Sequence, residues 1–96
     1  MALKKAPEAR KLRYGKHVAW RKVAGEAVIL NVDTAVYYSL DSVGLRMWEL
    51  LGGGKTSEEI GRVMAEEYDA PPEQIQRDIE ALSRLLIREK LIEPSA

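Results

Sequence analysis

The spacing of the apolar residues changes once along this chain, at Asp41, and that change limits the folds available to it. Before Asp41, three short runs are β-branched or alternate polar with apolar residues, as strands do. After it, apolar residues recur every three or four positions, as in amphipathic helices. A chain of 96 residues is long enough for one small domain. The sequence therefore predicts one α+β domain, in which a three-stranded antiparallel sheet is followed by three helices.

Strands are predicted at residues 17–23, 27–32 and 36–40, and the turns between them are short enough for an antiparallel meander. In meander order the third strand lies at an edge of the sheet. No proline or lysine protects that edge from pairing. The edge could therefore accept a guest strand. The alternative is that the third helix covers it.

Alternation along the third strand assigns its side chains to two faces of the sheet. Val36, Tyr38 and Leu40 lie on one face, and Tyr37 and Ser39 lie on the other. Neither tyrosine has a base or a cofactor motif near it in the sequence, which argues against catalytic roles. We interpret this strand as part of a binding surface.

Three helices are predicted after the strands. The first starts at a cap formed by Asp41 or Ser42 and ends at Gly52. The second starts at Thr56, whose hydroxyl can form a reciprocal capping box with the Glu59 carboxylate. The third helix opens at a proline pair and carries an apolar stripe. The proline pair is Pro71-Pro72, and the stripe consists of Ile75, Ile79, Leu82 and Leu86.

The segment 49–59 contains the letters GGGKT, which are similar to the end of a phosphate-binding loop. Such a loop requires G-x-x-x-x-G-K-[ST] between a strand and a helix. Glu49 stands where the first glycine belongs, and its carboxylate would repel a phosphate. The residues before the glycines have helical spacing. The sequence therefore favours a link between two helices, with Thr56 starting the second one.

The residue types present argue against an enzyme. The chain has no cysteine and one histidine, His17, so disulfides, thiolate metal sites and His-cluster metal sites lack the residues they need. With this single histidine, no Ser/His/Asp triad can be assigned from the sequence. No apolar run approaches the ~20 residues of a membrane span. The first eleven residues lack the apolar core of a secretory signal. We expect a cytoplasmic protein that is not an enzyme, with no catalytic residue, metal or cofactor.

Charge is distributed unevenly, although the net charge is zero. Residues 1–22 hold a net charge of +7, and residues 23–96 hold −7. We expect residues 1–15 to form a disordered basic tail and residues 16–94 to form the domain. A basic tail also allows a winged-helix DNA-binding protein as an alternative. Against it, the charges of the third helix balance, whereas a DNA-reading helix normally presents a basic face.

The order of these features resembles the PqqD family, whose members recognise ribosomally made precursor peptides. The resemblance covers about residues 17–93. It rests on a tyrosine-bearing strand, an apolar helix with tryptophan, a glycine link and a long final helix. The matching residues are Tyr37, Tyr38, Leu40-Asp41, Met47, Trp48, Leu50, Leu51, Thr56–Ile60, Tyr68, Asp78, Ile79, Leu82 and Leu91-Ile92. The resemblance implies a winged-helix-like α+β domain that acts by binding.

The resemblance also implies how a peptide binds. A leader segment adds as an antiparallel strand to the third strand and lies in a groove against the third helix. Asp78 is then a candidate partner for a basic leader side chain. The implied peptide-binding residues are Val36, Tyr37, Tyr38, Ser39 and Leu40 on the strand, and Ile75, Asp78, Leu82 and Leu85 on the helix.

The implied partners are a precursor peptide and a modifying enzyme. The turn Val32–Ala35 and the strand end Leu40-Asp41 depart from the Pro-Glu-Gly and Leu-Asn of the quinone-cofactor branch. Pyrroloquinoline quinone (PQQ) synthesis with a radical-SAM protein therefore stays open beside a lasso-peptide or related pathway with a leader peptidase. A further alternative is that the open edge joins two copies into a homodimer by strand or helix exchange.

Overall fold

The computed structural model describes residues 11–94, and its elements follow the predicted order. A three-stranded antiparallel sheet is followed by three helices, so the predicted α+β fold is confirmed. A second sheet of two strands joins the two ends of the described chain. The elements are β1 (Leu12–Tyr14), β2 (Val18–Val23), β3 (Glu26–Asn31), β4 (Val36–Leu40), α1 (Ser42–Gly52), α2 (Ser57–Glu67), α3 (Pro72–Arg88) and β5 (Ile92–Pro94).

The predicted capping residues begin the first two helices. Asp41 accepts a hydrogen bond from the Gly44 amide at 2.9 Å, which satisfies an amide that has no partner within α1. At α2 the Thr56 amide donates to Glu59 at 2.8 Å, and the Glu59 amide donates to the Thr56 hydroxyl at 3.2 Å. α3 has no side-chain cap but carries Pro72 at its first position, where its missing N–H costs nothing.

The GGGKT segment links α1 to α2. A helix precedes it, so it lacks the strand that a phosphate-binding loop requires. The Gly53 amide donates to the carbonyls of Glu49 and Leu50 at 3.0 and 3.2 Å, which ends the helix. Gly54 has a φ of +85°, a left-handed conformation that glycine adopts readily. The glycines end α1 and redirect the chain, as the sequence predicts.

The three helices and one face of the three-stranded sheet share a single core. Ile29 of β3, Trp48 of α1, Ile60 of α2 and Ile79 of α3 all belong to it, and each is at most 1% exposed. Alternation along β3 places every second side chain on the opposite face, where burial is only partial. Within residues 11–94, no element lies over that opposite face, which we call the outer face.

Leu12–Tyr14 form a strand, so the prediction of disorder is wrong for these three residues. β1 pairs with β5 in an antiparallel register that places Arg13 opposite Glu93. A three-residue pattern gives no sign of a partner that lies so far along the chain. Residues 1–10 of the predicted tail lie outside the described residues.

Tyr14 fixes β1 to the core. Its ring stacks on Trp48 with centroids 4.2 Å apart, and its hydroxyl donates to the Trp48 carbonyl at 2.8 Å. Burial, and then the nearby Glu49 carboxylate, raise the pKa of Tyr14, so the hydroxyl keeps its proton and stays a donor. The ring lies directly over Gly52, where a Cβ atom would overlap it. A glycine is therefore required at the end of α1.

We expect Gly52→Ala to lower the free energy of unfolding by about 1–3 kcal/mol, because the added methyl group displaces Tyr14 from Trp48. In an unobstructed helix the same change would stabilise the protein by up to ~1 kcal/mol, so the sign separates the two effects. Urea unfolding measures the change. Gly53→Ala is the control, since its nearest contact would be an ordinary 3.4 Å to a carbonyl oxygen. Stability of Gly52→Ala equal to that of the wild type would contradict the packing described.

Candidate functional site

β4 is an edge strand of the three-stranded sheet, and part of its main chain faces outward. The Val32 amide donates to the His17 carbonyl at 2.9 Å, so the main chain at residue 32 points toward β2. The main-chain N–H and C=O groups of successive residues point to opposite sides of a strand. Those of the odd-numbered residues of β3 therefore point toward β4. By the observed register, their partners are the even-numbered residues of β4. Tyr37 and Ser39 consequently direct their N–H and C=O groups away from the sheet.

No element within residues 11–94 closes this edge. Tyr37 is 67% exposed, Val36 is 44% exposed, and Ser39 is exposed as well. α3 ends near β4 and contacts it through Tyr38, whose hydroxyl donates to the Glu89 carboxylate at 2.8 Å. Within residues 11–94, the third helix therefore does not cover the β4 edge, contrary to the alternative.

A depression of about 500 Å³, which we call the β4–α3 pocket, lies where the end of β4 and the start of α1 meet α3. It combines apolar side chains with two carboxylates. Its lining consists of Ser39, Leu40, Asp41, Val43, Gly44, Met47, Asp78 and Leu82. Among residues 11–94, neither Asp41 nor Asp78 forms an ion pair. The pocket thus offers apolar surface and uncompensated negative charge beside the open strand edge.

The described part of the chain contains no candidate metal-binding site. Residues 11–94 hold no group of three or more His, Asp or Glu side chains that could bind a metal ion. The ring of His17 lies 2.6 Å from the Lys90 carbonyl, a contact that joins β2 to the end of α3. Across the same residues, no helix has the length and apolarity needed to cross a membrane.

Comparison with known families agrees with this geometry. A family model described as Coenzyme PQQ synthesis protein D (PqqD) matches residues 26–92. The chain belongs to the PqqD family. The match spans β3, β4 and all three helices, which are the elements that form the edge and the pocket. No curated protein matches the sequence.

Two solved structures share the fold of this PqqD-family chain. One is TbiB1 in complex with the TbiA(beta) leader peptide, which is 33% identical with a TM-score of 0.81, over 88% of this chain and 98% of that chain. The other is lasso peptide synthetase B1 complexed with the leader peptide, which is 19% identical with a TM-score of 0.81, over 88% and 99%. At 19% identity the second comparison shows the fold alone.

Of the four binding residues predicted on α3, two line the pocket and two do not. Asp78 and Leu82 line the pocket. Leu85 is 38% exposed and lies outside the lining. Ile75 is 5% exposed and belongs to the core, so its side chain is not available to a ligand. The reason is that this half of α3 packs against α2, where Gly61 leaves room for Gln76 and Ile79.

Four pocket residues are absent from the sequence prediction. They are Asp41, Val43, Gly44 and Met47, which come from α1 and its cap, far from α3 along the chain. The helical spacing of α1 assigns Met47 to the core. It does not indicate that Met47 also lines a pocket opposite Leu82 of α3. One signal was available: Asp41 directly follows the edge strand, so the start of α1 has to lie at the end of any groove along β4.

We expect Tyr38→Phe to loosen the contact between β4 and the end of α3. The hydrogen bond to Glu89, then burial and the Glu89 charge, raise the pKa of Tyr38 and keep its hydroxyl a donor. Without that bond, the amides of Glu89 and Lys90, which bond to Leu85 and Ile87, should exchange about two- to tenfold faster.

Hydrogen exchange followed by NMR measures this effect. Tyr37→Phe is the matched control, because the Tyr37 side chain lies on the outer face, away from α3. Equal exchange rates in the wild type and in Tyr38→Phe would mean that the hydrogen bond does not hold the end of α3.

Proposed function

We propose that this protein is a non-catalytic binding module for ribosomally made peptide natural products. It captures the leader segment of a precursor peptide by strand addition and presents it to a modifying enzyme. The observation that carries the proposal is the uncovered edge of β4, where main-chain groups of Tyr37 and Ser39 face outward beside the β4–α3 pocket. An edge with unpaired main-chain groups is what a guest strand requires.

The guest strand bonds to β4 through the main chain. An antiparallel partner pairs with the N–H and C=O groups of Tyr37 and Ser39, as β3 pairs with the alternate residues on the other side. Val36 begins this paired segment and is itself exposed. Main-chain bonds supply affinity that depends little on the guest sequence. They also fix the register of the peptide against the pocket.

Specificity comes from the guest side chains that face the helices. Side chains directly opposite one another in a sheet share a face, so guest residues opposite Tyr38 and Leu40 point toward α3. Leu82 and Asp78 form the facing wall near Leu40. Leu85, one helical turn beyond Leu82 and partly exposed, extends that wall toward Tyr38. The groove that receives the guest therefore has a polar end at Asp78 and an apolar end at Leu85.

The comparisons support a leader peptide as the guest. TbiB1, at 33% identity, was solved with the TbiA(beta) leader peptide. The family description refers to coenzyme PQQ synthesis, but the turn Val32–Ala35 departs from that branch. We therefore retain both enzyme partners, a leader peptidase and a radical-SAM protein. The type of modifying enzyme encoded next to this protein would distinguish them. Because such a precursor is made by ribosomes, we propose a cytoplasmic location for this protein.

The two alternatives have weaker support. α3 carries as many acidic as basic residues, so no observation among residues 11–94 favours a DNA-reading helix. Duplex binding at low salt would revive that alternative. The β4 edge could also pair with a second copy of the chain as a homodimer, which concentration-dependent light scattering would detect.

Presentation to an enzyme requires a second surface that the guest leaves free, and the outer face of the sheet supplies one. Ala19, Leu30 and Tyr37 form a cross-strand row there, and Val32 and Val23 are 54% and 47% exposed. This face shares β4 with the groove, so a bound guest strand enlarges it. We propose that the enzyme contacts the outer face and the guest together.

Ser39→Pro should abolish or strongly weaken leader binding, because it removes an amide that bonds to the guest. The fold should survive, since that amide faces away from β3 and proline is tolerated at such edge positions. Loss of one main-chain bond and of the register should weaken binding by at least about tenfold. NMR titration of leader peptides encoded nearby measures it, through amide shifts in β4 and α3.

Ser39→Ala is the control for this substitution, because it removes the side chain and keeps the amide. Leader binding by Ser39→Pro at wild-type affinity would show that the guest does not add to β4. Titrations that leave residues 36–40 and 75–85 unshifted with every such leader would reject the proposal as a whole.

Val32→Asp should slow enzymatic processing of the leader about five- to thirtyfold and leave leader affinity unchanged, because a charge on the outer face disfavours an apolar contact there. Processing by the enzyme from the same gene neighbourhood is compared with affinity for the leader alone. Ile87→Asp is the control, as an equally apolar residue exposed on α3. Processing at the wild-type rate by Val32→Asp would place the enzyme contact elsewhere.

A further inference from the structure

We propose that the β4–α3 pocket selects a positively charged side chain of the guest peptide. The aliphatic part of that side chain lies on the apolar floor, and its charge lies at Asp78 and Asp41. The inference rests on the proposed function, since it assumes a guest strand on β4. It adds the chemistry that one position of the guest must have, the position opposite Leu40.

The geometry of β4 identifies which guest residue reaches the pocket. Because the guest bonds through Tyr37 and Ser39, its residue opposite Leu40 belongs to a non-hydrogen-bonded pair, in which Cα atoms lie about 4.5 Å apart. Leu40 lines the pocket, and opposite side chains share a face, so that guest side chain enters it. The guest runs antiparallel to β4. The selected residue therefore lies on the N-terminal side of its paired segment.

The floor of the pocket suits a long aliphatic stem. Val43 and Met47 lie one helical turn apart on α1, and Leu82 faces them from α3. Val43 is 37% exposed and Leu82 is half-buried, so a guest side chain would remove apolar surface from water. Lysine and arginine cover apolar surface with their methylene groups while the charged end stays near polar groups.

The rim of the pocket supplies the charge that a cation needs. Asp41 uses one carboxylate oxygen to accept the Gly44 amide, and its other oxygen has no hydrogen-bond partner within residues 11–94. Asp78 is exposed on α3, and no basic side chain lines the pocket. An apolar guest side chain would leave two like charges beside the same cavity. A cationic one compensates both and gains two hydrogen-bond acceptors.

A randomised peptide library displayed on phage tests the inference, with the full chain as bait. Parallel selections use the wild type, Asp78→Asn, Glu80→Gln and Ser39→Pro. Glu80→Gln removes the same charge from the same helix outside the pocket, and Ser39→Pro removes the outward amide. Thermal unfolding verifies that each variant is folded. We expect lysine or arginine to be enriched at one N-terminal position with the wild type and Glu80→Gln, but not with Asp78→Asn.

A synthetic peptide from the wild-type selection is then used to measure the coupling between its selected cation and Asp78. Replacing its selected cation by norleucine should weaken binding to the wild type about two- to fivefold, as for a partly exposed ion pair. The same replacement should have less effect with Asp78→Asn, which is the signature of a direct pair. Raising the salt concentration should shrink the difference, because salt screens exposed charges.

The outcomes separate the two proposals. Peptides that need the Ser39 amide but show no cationic preference, or keep that preference with Asp78→Asn, overturn the inference about the pocket and leave strand addition standing. Peptides that bind Ser39→Pro as well as the wild type overturn strand addition itself.

Discussion

The single core shared by three helices and one face of a three-stranded sheet is the constraint on which the rest of this protein depends. Trp48, Ile60 and Ile79 come from different helices and join Ile29 of β3 in this core, where they lose almost all contact with water. A chain of this size forms one small core. Within residues 11–94, no element is left to cover the outer face or the β4 edge. The candidate site is the part of the sheet that this core leaves uncovered.

The same packing gives the groove its shape. Three contacts hold the residues that end α3: Tyr38 bonds to Glu89, His17 contacts the Lys90 carbonyl, and the Gly15 amide donates to the Leu91 carbonyl at 3.0 Å. The wall of α3 is therefore fixed near the start of β4. Near Leu40 the start of α1 intervenes, and the pocket opens there. The guest strand that we propose for β4 would meet a closed end and an open end, which would give its two inward side chains different surroundings.

An open edge strand is usually a hazard, because unpaired main-chain groups recruit other chains. β4 limits the hazard by its length of five residues. The groups that create the hazard are also the groups that a leader peptide needs. In the proposed binding mode, affinity for a guest and a tendency to self-associate have one physical origin. The exposed apolar residues Val23, Val32 and Tyr37 of the outer face add to this hazard, since Tyr37 belongs to β4 itself.

The sequence by itself determined the type and order of the main elements, because periodicity and caps act within a few residues. Asp41 caps α1 through an amide three residues away, and Glu49 excludes a phosphate-binding loop without reference to any structure. Only the tertiary structure decided that Leu12–Tyr14 form a strand and that Asp41 shares a pocket with Asp78. Each of these depends on partners from distant parts of the chain. Helix packing brings those partners together, and no local pattern encodes it.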